Sequence, residues 1–345
     1  MSALTPDRIL VIKLRYVGDV LLATPVLSRL REGFPKAHLA MLVNQGTEEV
    51  VRGHPALDEV LILKRGSMAR QWRFVREIRD RRFDLVIDLT DGDRSALVSR
   101  LSGAPARLGY NSEGRWRGWL YTRVIEADRF AMHTSRYHLA ATEALGLTGS
   151  PPAPILTVDP EARRVAERLL QEAGIDGTRP LVCLHPGARW WFKSWPAERF
   201  AALADRIQTE TLAQALFLGG EPERSVVDRI AGAMNTPSLN LVGRTGLQEL
   251  GAVLEHATLM VTNDNGPMHM AAARGVPVIG LFGPSDPAVW GPWGEGHRTF
   301  YKGLDCHACF HPDCFRGEQN CMRLITLEEV WEAVKQRVVL QCVQR

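Results

Sequence analysis

No stretch of this chain approaches the roughly 18 consecutive apolar residues that a membrane-spanning helix needs. Asp7, Arg8, Lys13 and Arg15 also interrupt the segment in which a secretion signal would keep an unbroken apolar core, so the cytoplasm is the expected compartment. Charge of one sign is scarce: the formal net charge is only +3, and no nucleic-acid partner is expected. Neither half carries the G-x-G-x-x-G turn after its first strand, which argues against a nicotinamide oxidoreductase. The cysteines number six, and in a cytoplasmic chain they are not expected to pair as disulfides.

What is present is ample apolar material, 45% of 345 residues, enough for two α/β domains with a core each. Residues 1–150 hold 23 Lys or Arg against 17 Asp or Glu, a balance of +6, and the remainder holds 19 against 22, a balance of −3. The charge divides where Gly149-Ser150-Pro151-Pro152 and Ala153-Pro154 punctuate the chain as a linker would. Each half opens alike. Ile9 to Leu14 is a β-rich run entering a turn at Tyr16 to Asp19 and a helix from Val20; Leu181 to His185 leads through Pro186 to Trp195 into a helix from Pro196. Further strands are expected at His38 to Val43, Leu85 to Leu89, Ala215 to Leu218 and Met260 to Thr262. Strands alternating with helices imply parallel sheets, and two such domains facing a central cleft suit a transferase with a donor side and an acceptor side.

Four segments carry chemistry. Residues 261–284, VTNDNGPMHMAAARGVPVIGLFGP, run from a strand through a polar turn into a helix with Pro267 in its first turn and on to a second strand. Helix N–H groups beyond a strand end attract anions, so Asp264, Asn265, Gly266 and His269 form a candidate phosphate site; an ordinary capped helix reads the same residues equally well. In HPGARWWFKSWP, residues 185–196, Arg189 and Lys193 stand just ahead of a helix and suit a pyrophosphate clamp, while Trp190, Trp191, Phe192 and Trp195 also suit simple packing. Glu221 ends a strand and two glycines, as a carboxylate on a ribose would, or merely meets Arg224 in a solvated loop. Gly18 and Asp19 lie where the first strand meets its helix, and Asp19 is either a general base for an acceptor hydroxyl or a helix cap.

Together GDVLLATPVLSRL (18–30), FDLVIDLTDGDRSALVSRL (83–101), ARWWFKSWP (188–196) and NDNGPMHMAAARGVPVIGLFGPSDPAVW (263–290) resemble glycosyltransferase family 9, the lipopolysaccharide heptosyltransferases, and within it the type III enzymes. The resemblance spans about residues 8 to 335 and implies a GT-B fold: an acceptor domain over 1–150, a donor domain over 151–325, and a helix over 326–345 returning to the first domain. It implies inverting transfer of L-glycero-D-manno-heptose from ADP-heptose to the lipopolysaccharide inner core, with Asp19 as base and Lys193 neutralising the leaving diphosphate. By the same resemblance Glu221 meets the adenosine ribose, Thr245 the adenosine, Asp264 and His269 the donor, and the amides of Asn265 and Gly266 the phosphates. Ala188 stands where relatives carry a hydroxyl residue, which leaves Arg189 open as a substitute, and Asn265 replaces a common Ser or Thr.

Such an acceptor is anionic and lipid-borne, which gives the basic first half a rationale. Residues 64–82 carry eight Lys or Arg with Trp72 and Phe74 interleaved and would touch an anionic membrane surface from its cytoplasmic side, or be a solvated helix face. Gly18, Arg115 and Arg117 are the acceptor candidates. No cofactor is required for the chemistry, and Asp91-Gly92-Asp93 is read as a turn rather than a metal-holding pair. Cys306, Cys309, Cys314 and Cys321 could hold a structural zinc, although their spacing departs from the usual paired pattern. The alternatives are another nucleotide-sugar transferase or epimerase of the same architecture, and a nonenzymatic protein that binds the membrane surface.

Overall fold

The structure is a computed structural model that describes residues 5–175, 177–306 and 314–343. The chain divides into two compact units, residues 1–157 and 158–345.

In the first unit the strands are β1 (Arg8–Ile12), β2 (His38–Asn44), β3 (Glu59–Leu63), β4 (Leu85–Asp88), β5 (Ala106–Tyr110) and β6 (Arg123–Ile125), and the helices α1 (Val17–Leu22), α2 (Thr24–Gly33), α3 (Met68–Asp80), α4 (Asp93–Leu101) and α5 (Thr134–Glu143). All six strands are parallel, in the order β3-β2-β1-β4-β5-β6. Leu10, Ile12, Leu42 and Val86 point to one face and meet Ile78 of α3 and Val98 of α4 there. Burial of both faces explains why β1 and β4 read as unbroken apolar runs instead of alternating. The single helix expected from Val20 is two helices. Pro25 has no N–H for the Leu21 carbonyl, and the Thr24 hydroxyl donates to that carbonyl instead, at 2.7 Å.

The second unit repeats the scheme with β7 (Leu181–His185), β8 (Gln214–Phe217), β9 (Leu239–Asn240), β10 (Leu259–Asn263), β11 (Val278–Phe282) and β12 (Arg298–Tyr301). Its helices are α6 (Pro160–Glu172), α7 (Ala197–Glu210), α8 (Arg224–Ala233), α9 (Leu247–Leu254), α10 (Gly266–Ala273), α11 (Pro287–Trp290), α12 (Cys321–Leu324) and α13 (Leu327–Val343). The order β12-β11-β10-β7-β8-β9 is parallel throughout and is the same topology as the first sheet. In each unit the order reverses beside the first strand, between β1 and β4 and between β7 and β10. Loops leaving those two strand ends diverge and open a crevice at the switch point.

One face of the second sheet, with Val182, Leu184, Phe217 and Val261, is covered by Phe200, Leu203 and Ile207 of α7 and Ile230 of α8. Val330, Trp331, Val334 and Val338 of α13 join that same core, and α13 lies on α7, β10 and β11. The apolar stripe of the terminal helix is thus buried in the second unit. The division also falls a few residues later than the proline cluster, because Leu156 is still buried and the Ile155 N–H donates to Thr24 of the first unit.

Candidate active site

The switch point of the second unit gathers the two most informative segments. Register pairs His185 of β7 with Thr262 of β10, so the 186–196 loop and the 263–269 turn leave the sheet side by side. Asn263, fully buried, joins them: its amide donates to the Pro186 carbonyl at 2.7 Å and its oxygen accepts from the Trp195 N–H at 3.1 Å. Asn265 is the N-cap of α10, its oxygen accepting from the Met268 N–H at 3.1 Å. The Asn265 amide then donates to the Gly187 carbonyl at 2.8 Å and to His185 Nδ1 at 3.0 Å. An acceptor at Nδ1 requires the neutral imidazole, and burial lowers the His185 pKa to about 4. Gly187 allows the loop to close down, since a Cβ there would stand 2.5 Å from Glu223 Cγ.

Across this laced turn the Lys193 ammonium pairs with Asp264 at 2.5 Å, Asp264 being largely buried and Lys193 partly so. First-turn amides of a helix have no acceptor within it. In α10 Pro267 has no N–H and Met268 is answered by the cap, so Asn265 and Gly266 carry the amides the turn leaves over. His269, one turn in, is buried. Arg189 is exposed with its guanidinium 5.4 Å above the Trp190 ring. Of the loop aromatics only Trp195 belongs to the core, its indole N–H donating to the Ile325 carbonyl at 2.8 Å.

Glu221 follows β8 and Gly219-Gly220 in a solvated position, where Arg224 holds its carboxylate by two bonds of 2.7 Å and lowers its pKa. Arg224 also donates to the Val242 carbonyl, and Gly243 lies so near Glu221 that a Cβ would reach within 2.3 Å of its oxygen. Glu221 therefore stands over the 242–246 loop that carries Thr245. A cavity of about 560 Å³ lies beside the 186–197 loop, walled among others by Ala188, Phe192, Glu223, Arg229 and Met322; Lys193, Asp264, Glu221 and Thr245 do not line it.

In the first unit Gly18 is buried and Asp19 is in the first turn of α1, its side chain 25% exposed. One carboxylate oxygen accepts from the Tyr16 N–H at 3.2 Å, and the other lies 3.6 Å from Lys13 Nζ. Lys13 was not singled out from the sequence as a site residue, although a lysine directly after the apolar run Ile9 to Ile12 was the available signal. Arg115 is half exposed and meets Asp93 and Glu113. Arg117 is different: only 1% exposed, it is held by Asp91 at 2.8 Å, Glu113 at 3.1 Å and Asp93 at 3.3 Å. It is a buried clamp whose charge is shared by three carboxylates. Asp91 and Asp93 are thereby accounted for as parts of that clamp. On α3, Trp72 is 59% exposed while Phe74 packs into the core.

Cys183 is buried in β7, where burial pushes its thiol up to about 12. Cys306 and Cys314 are half-buried and Cys321 is buried, all as free thiols; Cys309 lies outside the described residues. Among the described residues no group of three or more His, Cys, Asp or Glu is arranged to hold a metal. No helix among them is long and apolar enough to cross a membrane.

Two parallel six-stranded sheets of one topology, each with helices on its faces, give the α/β architecture of the GT-B fold. The model of Glycosyltransferase family 9 (heptosyltransferase) matches residues 71–319, and the chain belongs to that family. It is 31% identical over 304 residues to lipopolysaccharide heptosyltransferase 3 of Escherichia coli (strain K12), covering 84% of this chain and 86% of that protein. Among solved structures, a glycosyl transferase family 9 protein from Veillonella parvula is similar at a TM-score of 0.86 and 25% identity, covering 98% of this chain and 99% of that one. The E. coli ADP-heptose lps heptosyltransferase II is similar at a TM-score of 0.80 and 25% identity, covering 97% and 99%. The protein is thus an enzyme of the heptosyltransferase family of lipopolysaccharide core biosynthesis, and the oxidoreductase and nonenzymatic readings fall away.

Proposed function

We propose that the enzyme is a type III heptosyltransferase that moves L-glycero-D-manno-heptose from ADP-heptose to the lipopolysaccharide inner core with inversion. The observation that supports the donor assignment is the lacing of the 186–196 loop to the 263–269 turn, with the Lys193 ammonium on Asp264, the residue before the N-cap of α10. A diphosphate in that crevice would take the Asn265 and Gly266 amides and the Lys193 charge, with Asp264 holding the lysine in place and Arg189 at the rim. Glu221 and Thr245 suit the adenosine, and His269 the sugar end. The similarity to heptosyltransferase 3 supports the subtype.

The acceptor hydroxyl attacks C1 of the heptose on the face opposite ADP and gives its proton to Asp19; the C1–O bond to the diphosphate breaks and ADP leaves with the electron pair. Charge growing on the diphosphate is met by donors already aimed at it, so preorganised electrostatics supply much of the rate. Arg115 and the Gly18 backbone serve the anionic acceptor. The exposed basic face of α3 with Trp72 and Met68 rests against an anionic membrane on its cytoplasmic side. A zinc on Cys306, Cys309, Cys314 and Cys321 would be structural only, and elemental analysis of the purified protein decides it.

Calorimetric titration with ADP, UDP and NAD, with and without EDTA, tests the donor assignment: selective, metal-independent ADP binding is expected, and a preference for UDP would redirect the reading to another sugar donor. Transfer from ADP-heptose to inner-core acceptors then tests the subtype. Asp19→Asn is expected to abolish turnover while ADP affinity stays, and turnover at the wild-type rate would sink the base assignment.

A further inference from the structure

Lys13 is an expensive residue for the first unit to keep. It follows β1, is 6% exposed, and its ammonium has been taken out of water at a cost of several kcal/mol unless good partners meet it. Burial lowers its pKa, and Asp19, Asp88 and Asp91 oppose that shift. Three acceptors surround Nζ: the Leu89 carbonyl at 3.0 Å, His138 Nε2 at 3.1 Å and the Asp19 carboxylate at 3.6 Å. The three come from the end of β4, from α5 and from α1, so the ammonium ties the helix bearing Asp19 to the sheet and to its neighbouring helix.

His138 is specified just as tightly. Nε2 faces a group that can only donate, so it carries a lone pair; Nδ1 stands 3.3 Å from the Leu22 carbonyl, which can only accept, so it carries the proton. One neutral tautomer satisfies both neighbours, and the imidazolium would set a second cation against Lys13. Burial first, and the charge of Lys13 second, hold its pKa well below the ordinary histidine range. Leu22 is the last residue of α1, the helix whose first turn holds Asp19. His138 therefore grips both the cation beside the carboxylate and the far end of the helix that carries it.

We propose that Lys13 and His138 are positioning residues for Asp19: His138 aims the Lys13 ammonium, and Lys13 with the Tyr16 amide fixes the carboxylate so that its remaining lone pairs face solvent. This rests on the reading of Asp19 as the base. One Asp19 oxygen meets the Tyr16 N–H and the other faces Lys13, and the carboxylate stays 25% exposed, so it is oriented and still able to take a proton. A misaimed base costs rate rather than donor affinity, because the diphosphate is held by residues of the second unit. Displacements on the order of 1 Å in such groups cost up to about 10²-fold.

The test compares His138→Leu, His138→Gln and Lys13→Met with Asp19→Asn, measuring kcat, KM for ADP-heptose, calorimetric ADP affinity and the thermal midpoint. Glutamine can accept from Lys13 with its oxygen and donate to Leu22 with its amide, so it replaces both bonds of the imidazole; leucine replaces neither. The expected result is a kcat loss of about 10- to 100-fold in His138→Leu, with KM for the donor and ADP affinity unchanged, and recovery of most of that loss in His138→Gln. If His138→Leu fails to fold, Lys13→Met, apolar and similar in length, decides: a kcat loss at unchanged ADP affinity supports the role. Wild-type kcat in the folded leucine or methionine variant overturns it, as does equal loss in the glutamine and leucine variants. Asp19→Asn at full activity would overturn the base assignment underneath, whereas inactive Asp19→Asn beside fully active His138→Leu overturns the positioning role alone.

Discussion

Replacing Asn263 with leucine tests whether the donor turn is a built structure or an ordinary loop. Leucine matches the side chain in size and removes both of its bonds, which leaves the Trp195 N–H and the Pro186 carbonyl buried without their present partner. A buried polar group stranded in this way costs about 1–3 kcal/mol, and two of them about 2–6 kcal/mol. The added apolar burial returns roughly 1 kcal/mol, so a net loss of about 1–5 kcal/mol is expected. Urea unfolding followed by tryptophan fluorescence reads it, because Trp190, Trp191, Trp195, Trp290, Trp293 and Trp331 all belong to the second unit. With a slope of about 2 kcal/mol per molar, the midpoint should fall by about 0.5–2.5 M. The same variant unmoors the loop that carries Arg189 and Lys193, so ADP affinity should drop at least about 10-fold. A midpoint displaced by less than the equivalent of about 0.5 kcal/mol, with ADP affinity intact, would refute the claim that Asn263 holds the two segments together.

Asn265→Ala removes a helix cap and the amide's bonds to Gly187 of the loop and His185 at the end of β7, and a stability loss of about 2–3 kcal/mol by denaturant titration is expected; a loss under about 0.5 kcal/mol would show that water replaces the cap. Glu221→Ala should weaken ADP binding about 3- to 10-fold while leaving inorganic pyrophosphate, which has no ribose, unaffected, and equal weakening of pyrophosphate would remove Glu221 from the ribose. Burial lowers the pKa of His54 from 6.5 to about 4, so the unfolded chain takes up this proton first on acidification. Its stabilising contribution is therefore complete above pH 6.5 and is lost as pH falls toward 4, about 2 kcal/mol of it between pH 7 and pH 5. His54→Leu should flatten that part of the acid slope in the first unit, and an unchanged slope from pH 7 to pH 5 would dismiss His54 as its source.

Much of the fold was legible along the chain, because parallel strands buried on both faces are written as continuous apolar runs and their ends as polar turns. Leu181 to His185 is a strand at the bounds read from sequence, and His38 to Val43 differs by one residue. Local chemistry was less decisive wherever one residue type serves two purposes. Asn265 caps its helix by side chain, which is the ordinary capped-helix reading, and the anion site proposed on the same turn uses the same residues, so local pattern alone does not separate the two. Arg115 and Arg117, two residues apart and alike in sequence, part company only on folding: one stays half exposed and the other is consumed by Asp91, Asp93 and Glu113.

By itself the sequence determined the class of fold, the doubling of the sheet and where the polar strand-end turns fall, since periodicity, glycine and proline placement and strand-end polarity are local properties of a chain. Only the tertiary structure decided which side chains meet. The partnership of Lys13 with His138 spans 125 residues and that of Lys193 with Asp264 spans 71, and neither distance leaves a trace in composition or spacing. It decided likewise that the stripe on α13 belongs to the second sheet, because an amphipathic helix announces that it has a buried face without naming the surface that buries it.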